Sequence, residues 1–323
     1  MRYVIVGLGG IGGTLAGRLH ASGSDVVGVA RAGAHLDALQ QHGLLLRRPG
    51  GDQRVPLRVA SSVADIDLTD NDVVVIAVKS QDTSSVLRQL ARAAPPTIHV
   101  VCAQNGVGNE PEALRWFKNV YGVLVQCPTL HLEPGVVAAY SAPTVGILDV
   151  GRYPCGDSEV SEAIARDWRA AGYSSQSVTD IARWKYAKLI TNLGNAVEAV
   201  CGPAARGGPL TELLQDEARA VLDHHRIEYA SASEDKSRRG DLLKLHDIDG
   251  PRPGGSLWQS ATREQPTEVD HLCGEVVRLA RLAGLTAPAN ELMQRLTHSV
   301  TSGDLRVAGL SEEAVLTKLG GPV

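Results

Sequence analysis

A glycine-rich run near the start of the chain could bind the diphosphate of a dinucleotide. It reads Gly7-Leu8-Gly9-Gly10-Ile11-Gly12 and has the spacing G-x-G-x-x-G. Gly7 permits a tight turn, Gly9 lets the backbone approach a pyrophosphate, and Gly12 lets the following helix pack close to the strand. The N-terminus of that helix would then face the phosphates, because its free N–H groups carry partial positive charge.

The residue that follows the second predicted strand bears on the choice of cofactor. Sites for NAD(H) place an Asp or Glu there to bind the ribose hydroxyls, whereas this chain reads Val29-Ala30-Arg31-Ala32. Arg31 stands 19 residues after Gly12, and a guanidinium at that point can bind a 2′-phosphate through two charge-assisted hydrogen bonds. The sequence therefore favours NADP(H), with a solvated loop arginine as the alternative.

Two further pairs of polar residues lie in the second half of the chain and could act on a substrate. Lys188 and Asn192 are four residues apart on a predicted helix and therefore share one face. Ser256 precedes Glu268 by twelve residues. Each pattern alone is common on solvated helices, and an acid such as Glu268 also suits a helix start.

Alternating strands and helices must position these groups. Short apolar runs typical of buried parallel strands occur at 3–6, 25–30, 72–78 and 98–102. Helical periodicity predicts helices over 10–21 and 83–93. In an open parallel sheet, ligands bind at the carboxyl ends of the strands. Arg31, Lys79 and Asn105 all fall at such ends.

Later segments complete the predicted domain and add a helical one. Residues 44–59 alternate and predict a hairpin inserted in the sheet, and antiparallel strands that finish the sheet are predicted at 120–132, 136–140 and 144–148. Helices are predicted over 158–171 and over most of the chain after residue 177, apart from a polar break at 237–255 that contains Pro251-Arg252-Pro253. The pattern predicts an α/β fold: an N-terminal Rossmann-type dinucleotide-binding domain over 1–178, followed by an all-helical substrate and catalytic domain over 179–323.

Composition argues against several other classes of protein. The 323 residues are 43% hydrophobic and 21% charged, as expected of a globular chain of about two domains. A net charge of −4 and an aromatic content of 4% argue against nucleic-acid binding. No apolar run reaches the roughly 20 residues of a membrane helix, and five scattered cysteines fit reduced thiols in a cytoplasmic protein. The spacing of His and Cys predicts no metal site, and no serine lies in a G-x-S-x-G hydrolase motif.

Together the motifs resemble those of the ketopantoate reductase family over nearly the whole chain. That family has an opening G-x-G-x-x-G, an Asn-Gly turn after a later strand, a lysine–asparagine pair, and a serine twelve residues before a glutamate in a T-E-[IV]-D context. The matching residues are Gly7, Gly9, Gly12, Asn105-Gly106, Lys188, Asn192, Ser256 and Glu268 within Thr267-Glu268-Val269-Asp270. Four ordered motifs at these separations are hard to obtain by chance.

The resemblance implies a reaction and a cofactor. The reaction is the transfer of hydride from NADPH to a 2-oxo acid, in this family the reduction of 2-dehydropantoate (ketopantoate) to pantoate on the way to pantothenate. Arg31 and Lys79 are then expected to hold the 2′-phosphate end of NADPH.

The resemblance also implies roles in catalysis. Lys188 would polarise the substrate carbonyl and protonate the nascent alkoxide as general acid. Glu268 would pair with Lys188 and accept from a substrate hydroxyl. Asn105 and Asn192 would orient the substrate and the nicotinamide, and Ser256 would donate to the substrate carboxylate.

The chain departs from the family pattern at one position. The family commonly has a second asparagine eight residues after the lysine, where this chain has Ala196, and Asn195 is about 100° of helix rotation away from that position. Lys185, nearly a turn from Lys188, is expected to be solvated. Two alternatives stay open: another 2-oxo acid or imine as substrate, and an NADP-binding regulator without catalysis, against which the retained Lys188 and Glu268 argue. The helical domain could also pack across a homodimer.

Overall fold

The chain divides into two units in the computed structural model, which describes residues 1–248, 250, 254–263 and 265–320. The first unit comprises Met1–Lys185 and Ser231–Arg252, and the second comprises Tyr186–Ala230 and Pro253–Val323. The sequence predicted a domain boundary at residue 178. In the structure the first unit extends to Lys185 and also includes the later segment Ser231–Arg252. Of the predicted polar break, Pro251, Arg252 and Pro253 lie outside the described residues.

The first unit contains two sheets. Its strands are β1 (Arg2–Val6), β2 (Asp25–Val29), β3 (Leu44–Arg47), β4 (Gln53–Val55), β5 (Arg58–Ala60), β6 (Asp72–Ile76), β7 (His99–Cys102), β8 (Asn119–Gln126), β9 (Thr129–Glu133), β10 (Val136–Ala139) and β11 (Ile147–Arg152). Seven strands form the main sheet in the order β11-β8-β7-β6-β1-β2-β5. All neighbours in it are parallel except β8 and β11. The predicted α/β fold class is confirmed.

Helices follow the strands and cover the sheet. The helices wholly in the first unit are α1 (Gly10–Ala21), α2 (Ala34–His42), α3 (Thr83–Ala93), α4 (Asn109–Ala113) and α5 (Glu159–Ala170). Strands β1 and β6 are buried on both faces, which explains their continuous Val and Ile runs. Because β1, β2, β6 and β7 run parallel, their carboxyl ends lie along one edge of the sheet. That edge carries the predicted cofactor residues.

The remaining strands form a separate sheet, which corrects two expectations. Its order is β4-β3-β10-β9, with β3 parallel to β10. The segment over 44–59 is therefore not a hairpin inserted in the main sheet, although β5 at its end does join that sheet. Strands β9 and β10 likewise do not finish the main sheet. The alternating burial of β3 shows the reason, because one face of this small sheet packs against α1.

The second unit is helical, as predicted for this part of the chain. Helix α6 (Ile181–Asn192) enters it from the first unit, and the helices within it are α7 (Gly194–Cys201), α8 (Pro209–His224), α10 (Ser256–Ala261), α11 (Cys273–Leu282), α12 (Pro288–Thr301) and α13 (Glu312–Lys318). Glu217 on α8 accepts hydrogen bonds from the backbone N–H groups of Ala289 and Asn290 at 2.8 and 2.9 Å. It thereby satisfies free donors at the start of α12. Among the described residues, none of the helices is long and apolar enough to cross a membrane.

A later helix, α9 (Ala232–Arg239), belongs to the first unit although it lies in the predicted helical half. Arg238 donates two hydrogen bonds to the carboxylate of Asp149 on β11, at 2.6 and 2.7 Å, and both side chains are buried. Arg183 binds Glu234 in the same bidentate manner, at 2.7 and 2.9 Å, and holds the pKa of that carboxyl at about 2. Arg238, at the start of the polar break, thus fixes α9 to β11 of the first unit.

Removal of the Asp149 carboxylate should destabilise the first unit. Asp149→Ala leaves the Arg238 guanidinium buried without its counter-ion, and we expect a loss of about 3–5 kcal/mol in the free energy of unfolding. Asp216→Ala is the matched control, because Asp216 forms an exposed pair with Arg219 within one helix. Urea denaturation should show a change below about 1 kcal/mol for that control. Equal effects of the two substitutions would contradict the structural role given to Arg238.

Candidate active site

The glycine-rich turn connects β1 to α1 at the carboxyl edge of the sheet. Gly7 has a φ of 97°, which a residue with a side chain rarely adopts. A Cβ on Gly12 would lie 2.0 Å from the Gly7 carbonyl oxygen, so the helix can approach the turn only with glycine there. A Cβ on Gly9, in contrast, would meet no described protein atom within 4 Å. The open space beside Gly9 lies at the N-terminus of α1, where a phosphate binds in sites of this kind.

The different surroundings of Gly9 and Gly12 predict different effects of replacing each of them by alanine. Gly9 has ordinary extended dihedrals, so Gly9→Ala should fold with unchanged stability while its methyl group occupies the space a diphosphate needs. We expect NADPH affinity to fall by at least about tenfold, since even one charge-assisted hydrogen bond is worth about 1.5–3 kcal/mol. Gly12→Ala should instead lower the melting temperature because of its clash with Gly7. Calorimetric titration and thermal unfolding measure the two effects, and NADPH binding by Gly9→Ala at wild-type affinity would contradict a phosphate site here.

His35 on α2 supports the turn from the side of the small sheet, a role that the sequence did not predict. Its Nδ1 accepts the Gly135 N–H at 2.9 Å, so the ring proton lies on Nε2, which donates to the Leu8 carbonyl oxygen at 2.9 Å. Burial lowers the pKa of His35 and keeps the ring neutral. The ring of His131 on β9 packs edge-on against it with the centroids 4.4 Å apart. The small sheet therefore fixes the backbone of the glycine-rich turn.

The two cations predicted for the cofactor phosphate lie at the same edge of the sheet. Arg31 follows β2 directly, and its side chain is 90% exposed, with the guanidinium 3.9 Å from the carboxylate of Asp82. Lys79 follows β6 and precedes a short 3₁₀ turn, Ser80–Asp82. No acid stands between β2 and Gly33, so the position that binds ribose hydroxyls in NAD sites holds a guanidinium instead. The residues present thus fit a 2′-phosphorylated dinucleotide.

Asn105 is positioned by a buried polar network that the sequence analysis missed. Its carbonyl oxygen accepts from the Asn109 side-chain amide at 3.1 Å and from the Ser80 hydroxyl at 3.4 Å. The Gln104 amide donates to the Val78 carbonyl oxygen and to the Thr83 hydroxyl, both at 2.8 Å. These bonds tie the loop after β7 to the loop after β6. The loops that carry Asn105 and Lys79 are therefore one connected structure.

Lys185 is buried, so the expectation that it is solvated was wrong. Its side chain is 3% exposed, and its Nζ lies 2.7 Å from Oε1 of Glu110, which is fully buried. Burial raises the pKa of Glu110 above its usual value, against the opposing charge of Lys185. Helical periodicity put Lys185 away from Lys188, but periodicity alone says nothing about what packs on that other face.

Four of the predicted catalytic and substrate residues lie in the second unit, whereas Asn105 lies in the first. Lys188, half-buried, and Asn192, buried, lie one turn apart on α6. Ser256 is the first residue of α10, and Glu268 directly precedes a 3₁₀ turn, Val269–His271. Ser256 and Glu268 are both half-buried. Each residue thus stands at an element boundary or on the helical face that the sequence indicated, and their roles in catalysis stay predictions.

Asn195 is a buried polar residue in the first turn of α7. The chain tightens between α6 and α7, since the Leu193 N–H donates to the Ile190 carbonyl oxygen. A spacing of seven residues brings Asn195 back to nearly the face of Lys188. Asn195 is 4% exposed, and its Oδ1 has no hydrogen-bond partner within the described ranges. A Cβ on Gly255, just before α10, would lie 3.1 Å from that oxygen.

The start of α10 is held by an acid on α7. Glu198, which is buried, accepts the Gly255 N–H at 3.0 and 3.1 Å through its two oxygens. Arg206 completes an ion pair with Glu198 at 3.1 Å. The backbone that leads into Ser256 is therefore fixed to the helix that carries Asn195. No group of His, Cys, Asp and Glu among the described residues could hold a metal ion, and no disulfide joins the five cysteines.

Comparison with known protein families identifies the chain's relatives. The model described as "Ketopantoate reductase PanE/ApbA" matches residues 3–151, and "Ketopantoate reductase PanE/ApbA C terminal" matches residues 180–301. The chain belongs to the ketopantoate reductase family. It is accordingly related to oxidoreductases that act on a CH–OH donor. The second family model starts at residue 180, near the domain boundary predicted at residue 179.

Individual members of the ketopantoate reductase family match almost from end to end. A 2-dehydropantoate 2-reductase of Archaeoglobus fulgidus is 29% identical over 94% of this chain and 98% of its own length. One from Pyrococcus horikoshii is 26% identical over the same shares of the two chains. A PanE/ApbA family ketopantoate reductase from Ralstonia eutropha has a similar fold, with a TM-score of 0.79 at 24% identity over 94% of this chain and 99% of that one.

A D-mandelate dehydrogenase also has this fold. Its ternary structure with NADH and anilino(oxo)acetate gives a TM-score of 0.81 at 18% identity, over 94% of this chain and 99% of that one. The likeness at this identity concerns the fold alone. It establishes that the architecture of the ketopantoate reductase family is also found in an enzyme crystallised with NADH.

Proposed function

We propose that the protein reduces 2-dehydropantoate to pantoate with NADPH, a step toward pantothenate. The observation that carries the proposal is the end-to-end match to relatives named 2-dehydropantoate 2-reductase, over 94% of this chain and 98% of theirs. The proposed residues Lys188, Asn192, Ser256 and Glu268 all lie within residues 180–301, which the second family model matches. Arg31 in place of an acid after β2 supports NADPH rather than NADH.

The proposed reaction requires a hydride on the carbonyl carbon and a proton on its oxygen. NADPH, when bound, supplies the hydride. The Lys188 ammonium polarises the carbonyl and transfers a proton to the oxygen as negative charge develops there. Glu268 keeps Lys188 protonated until that transfer. A positioned acid of this kind accelerates a reaction by about 10²–10⁴.

Recognition of the substrate falls to hydroxyl and amide groups in this proposal. The Ser256 hydroxyl donates to the substrate carboxylate, and the amides of Asn105 and Asn192 orient the substrate and the nicotinamide. Glu268 accepts from the hydroxyl that ketopantoate carries beyond its 2-oxo acid. A site built to accept that hydroxyl should reject an analogue that lacks it, because the buried acceptor would stay unpaired.

A second candidate function keeps the chemistry and changes the substrate. Ala196 is buried on α7 at the position where the family commonly has an asparagine, so one amide is absent from that position. The candidate substrates are then other 2-oxo acids, or imines formed from them. We prefer ketopantoate because Asn195 provides an amide one residue away, on the side of the helix nearer to Lys188.

A substrate panel tests the proposal. Ketopantoate, its analogue without the hydroxyl, and 2-oxo acids with other side chains are compared by the loss of NADPH absorbance. The proposal requires the highest kcat/KM for ketopantoate. A higher kcat/KM for another oxo acid or imine would establish the second candidate, and no turnover of any member alongside tight NADPH binding would indicate a non-catalytic NADP-binding protein.

A further inference from the structure

The buried ion pair between Lys185 and Glu110 lies directly beneath the loop that carries Asn105. Lys185 Nζ donates to the Gln104 carbonyl oxygen at 2.8 Å and to the Val123 carbonyl oxygen at 3.4 Å, in addition to its contact with Glu110. An ammonium has three protons, and three acceptors surround it. Lys185 therefore has two backbone acceptors and a counter-ion around its ammonium, and its position is determined by the backbone of β8 and of the loop after β7.

Stability alone does not explain a charged pair at this place. Replacement of a buried ion pair by apolar side chains of similar volume is often neutral or stabilising, because desolvation offsets the attraction between the charges. The backbone also leaves room for the pair, since a Cβ on Gly122 would lie 3.1 Å from Lys185 Cδ and 3.3 Å from Glu110 Oε1. The contacts that an apolar pair could not replace are the hydrogen bonds to the Gln104 and Val123 carbonyl oxygens, and the shorter of them, to Gln104, is the one that reaches the loop carrying Asn105.

That carbonyl belongs to the peptide bond between Gln104 and Asn105. The side chain of Gln104 is fixed separately, by Val78 and Thr83, and the carbonyl of Asn105 is fixed by Asn109 and Ser80. The hydrogen bond from Lys185 to the Gln104 carbonyl oxygen fixes the plane of the peptide bond between Gln104 and Asn105. These bonds thus fix the backbone on both sides of the Asn105 Cα, from which its side chain projects.

The sheet order indicates which part of the cofactor Asn105 faces. The ribose phosphate is expected at the end of β2, by Arg31, and the diphosphate at the end of β1, by the glycine-rich turn. The order β7-β6-β1-β2 continues away from the phosphate end. The nicotinamide end therefore lies toward β6 and β7, where Asn105 stands.

We propose that Lys185 is a positioning residue for hydride transfer: its hydrogen bond to the Gln104 carbonyl oxygen sets the orientation of Asn105 at the nicotinamide end of the cofactor, and Glu110 serves to keep Lys185 in place. The catalytic part of this inference rests on the proposed function. The part that concerns the nicotinamide can be tested by binding alone.

The experiment compares three variants with the wild type. Lys185→Met removes the charge and the donor and leaves Glu110 unpaired, and the double variant Lys185→Met/Glu110→Met replaces the whole pair with apolar groups. Lys118→Met is the matched control, because Lys118 is an exposed lysine of the same unit and its replacement removes the same charge. Each variant is measured for its melting temperature, for kcat with the 2-oxo acid that the wild type reduces best, and for affinity toward NADPH and toward 2′,5′-ADP. The latter compound carries the phosphate end of the cofactor and lacks the nicotinamide.

The double variant should separate stability from positioning. We expect it to recover most of the melting temperature lost in Lys185→Met, since no buried charge is left unpaired. Its kcat should nevertheless stay about 10–100-fold below that of the wild type, the size of effect a small misplacement near the chemistry produces. Its affinity for 2′,5′-ADP should be unchanged while its affinity for NADPH falls. Lys118→Met should leave the melting temperature, kcat and both affinities unchanged.

Three results would overturn the proposal. These are a double variant with wild-type kcat and NADPH affinity, a Lys118→Met variant as impaired as Lys185→Met, and equal losses of affinity for NADPH and 2′,5′-ADP in the double variant. If neither variant at 185 folds, Gly122→Ala decides, because its methyl group would lie 3.1 Å from Lys185 Cδ and 3.3 Å from Glu110 Oε1 and so forces a small shift of the pair without removing it, and wild-type kcat together with wild-type NADPH affinity there contradicts the proposal. If the wild type reduces no 2-oxo acid, the proposed function fails, while the ratio of the two affinities still tests Lys185.

Discussion

Lys188→Met should abolish most of the activity while leaving the cofactor bound. The substitution keeps the length of the side chain and removes its charge and its proton, and we expect kcat to fall by about 10²–10⁴. The affinity for NADPH should change by less than about threefold, because the predicted cofactor residues lie in the first unit and Lys188 lies in the second. Steady-state kinetics and calorimetric titration measure the two quantities separately.

The choice of control for this variant follows from the structure. Lys185, three residues earlier, is no neutral reference, because it is buried against Glu110. Lys318 on α13 is exposed and also belongs to the second unit, so Lys318→Ala should leave kcat and KM unchanged. If Lys188→Met retained more than about a tenth of the wild-type kcat, a group other than Lys188 would have to donate the proton.

Arg31→Ala should weaken the preference of the enzyme for NADPH over NADH. Loss of a charge-assisted pair with the 2′-phosphate removes about 1.5–3 kcal/mol, so NADPH affinity should fall roughly tenfold or more. NADH has no 2′-phosphate, and its affinity should stay nearly constant. The ratio of kcat/KM with NADPH to that with NADH should drop by the same factor, and it should fall further when Lys79 is also replaced by alanine.

A second arginine provides the control for this measurement. Arg92 is exposed in the last turn of α3, and α3 runs from the carboxyl edge of β6 toward the opposite edge of the sheet. Arg92→Ala therefore changes the net charge by the same amount, away from the predicted cofactor edge. A wild-type enzyme that uses NADH and NADPH equally well, or an Arg92→Ala variant that loses as much NADPH affinity as Arg31→Ala, would contradict the proposed role of Arg31.

Local signals determined the nucleotide-binding half of the fold. The sequence predicts helices over 10–21 and 83–93, and the structure has α1 at Gly10–Ala21 and α3 at Thr83–Ala93. Glycine spacing, apolar runs and helical periodicity each act within about twenty residues, so the sequence alone reveals them. The position of Arg31 directly after β2 followed from the same local pattern.

The small sheet depended on partners far apart in the chain. Strand β3 pairs with β10, about ninety residues later, and the sheet packs on α1, where Cβ atoms on Gly13 and Gly17 would meet Val137 at 2.9 Å and Leu44 at 3.1 Å. The stripe of small residues on α1 was a visible signal of close packing. The stripe does not show which strands pack against it, because a segment with alternating apolar and polar residues can join any sheet that has one buried face.

The sequence by itself determined the family, the fold class, the glycine-rich turn and the order of the predicted substrate residues, because these depend on residue types at short and fixed spacings. Only the tertiary structure decided the burial of Lys185 against Glu110, the return of α9 to Asp149, and the support of the glycine-rich turn by His35. Each of these contacts joins residues 27 to 89 positions apart. From sequence alone, charged and polar side chains are predicted to be solvated, because their burial is costly without a partner. Only the tertiary structure shows which of them have a buried partner.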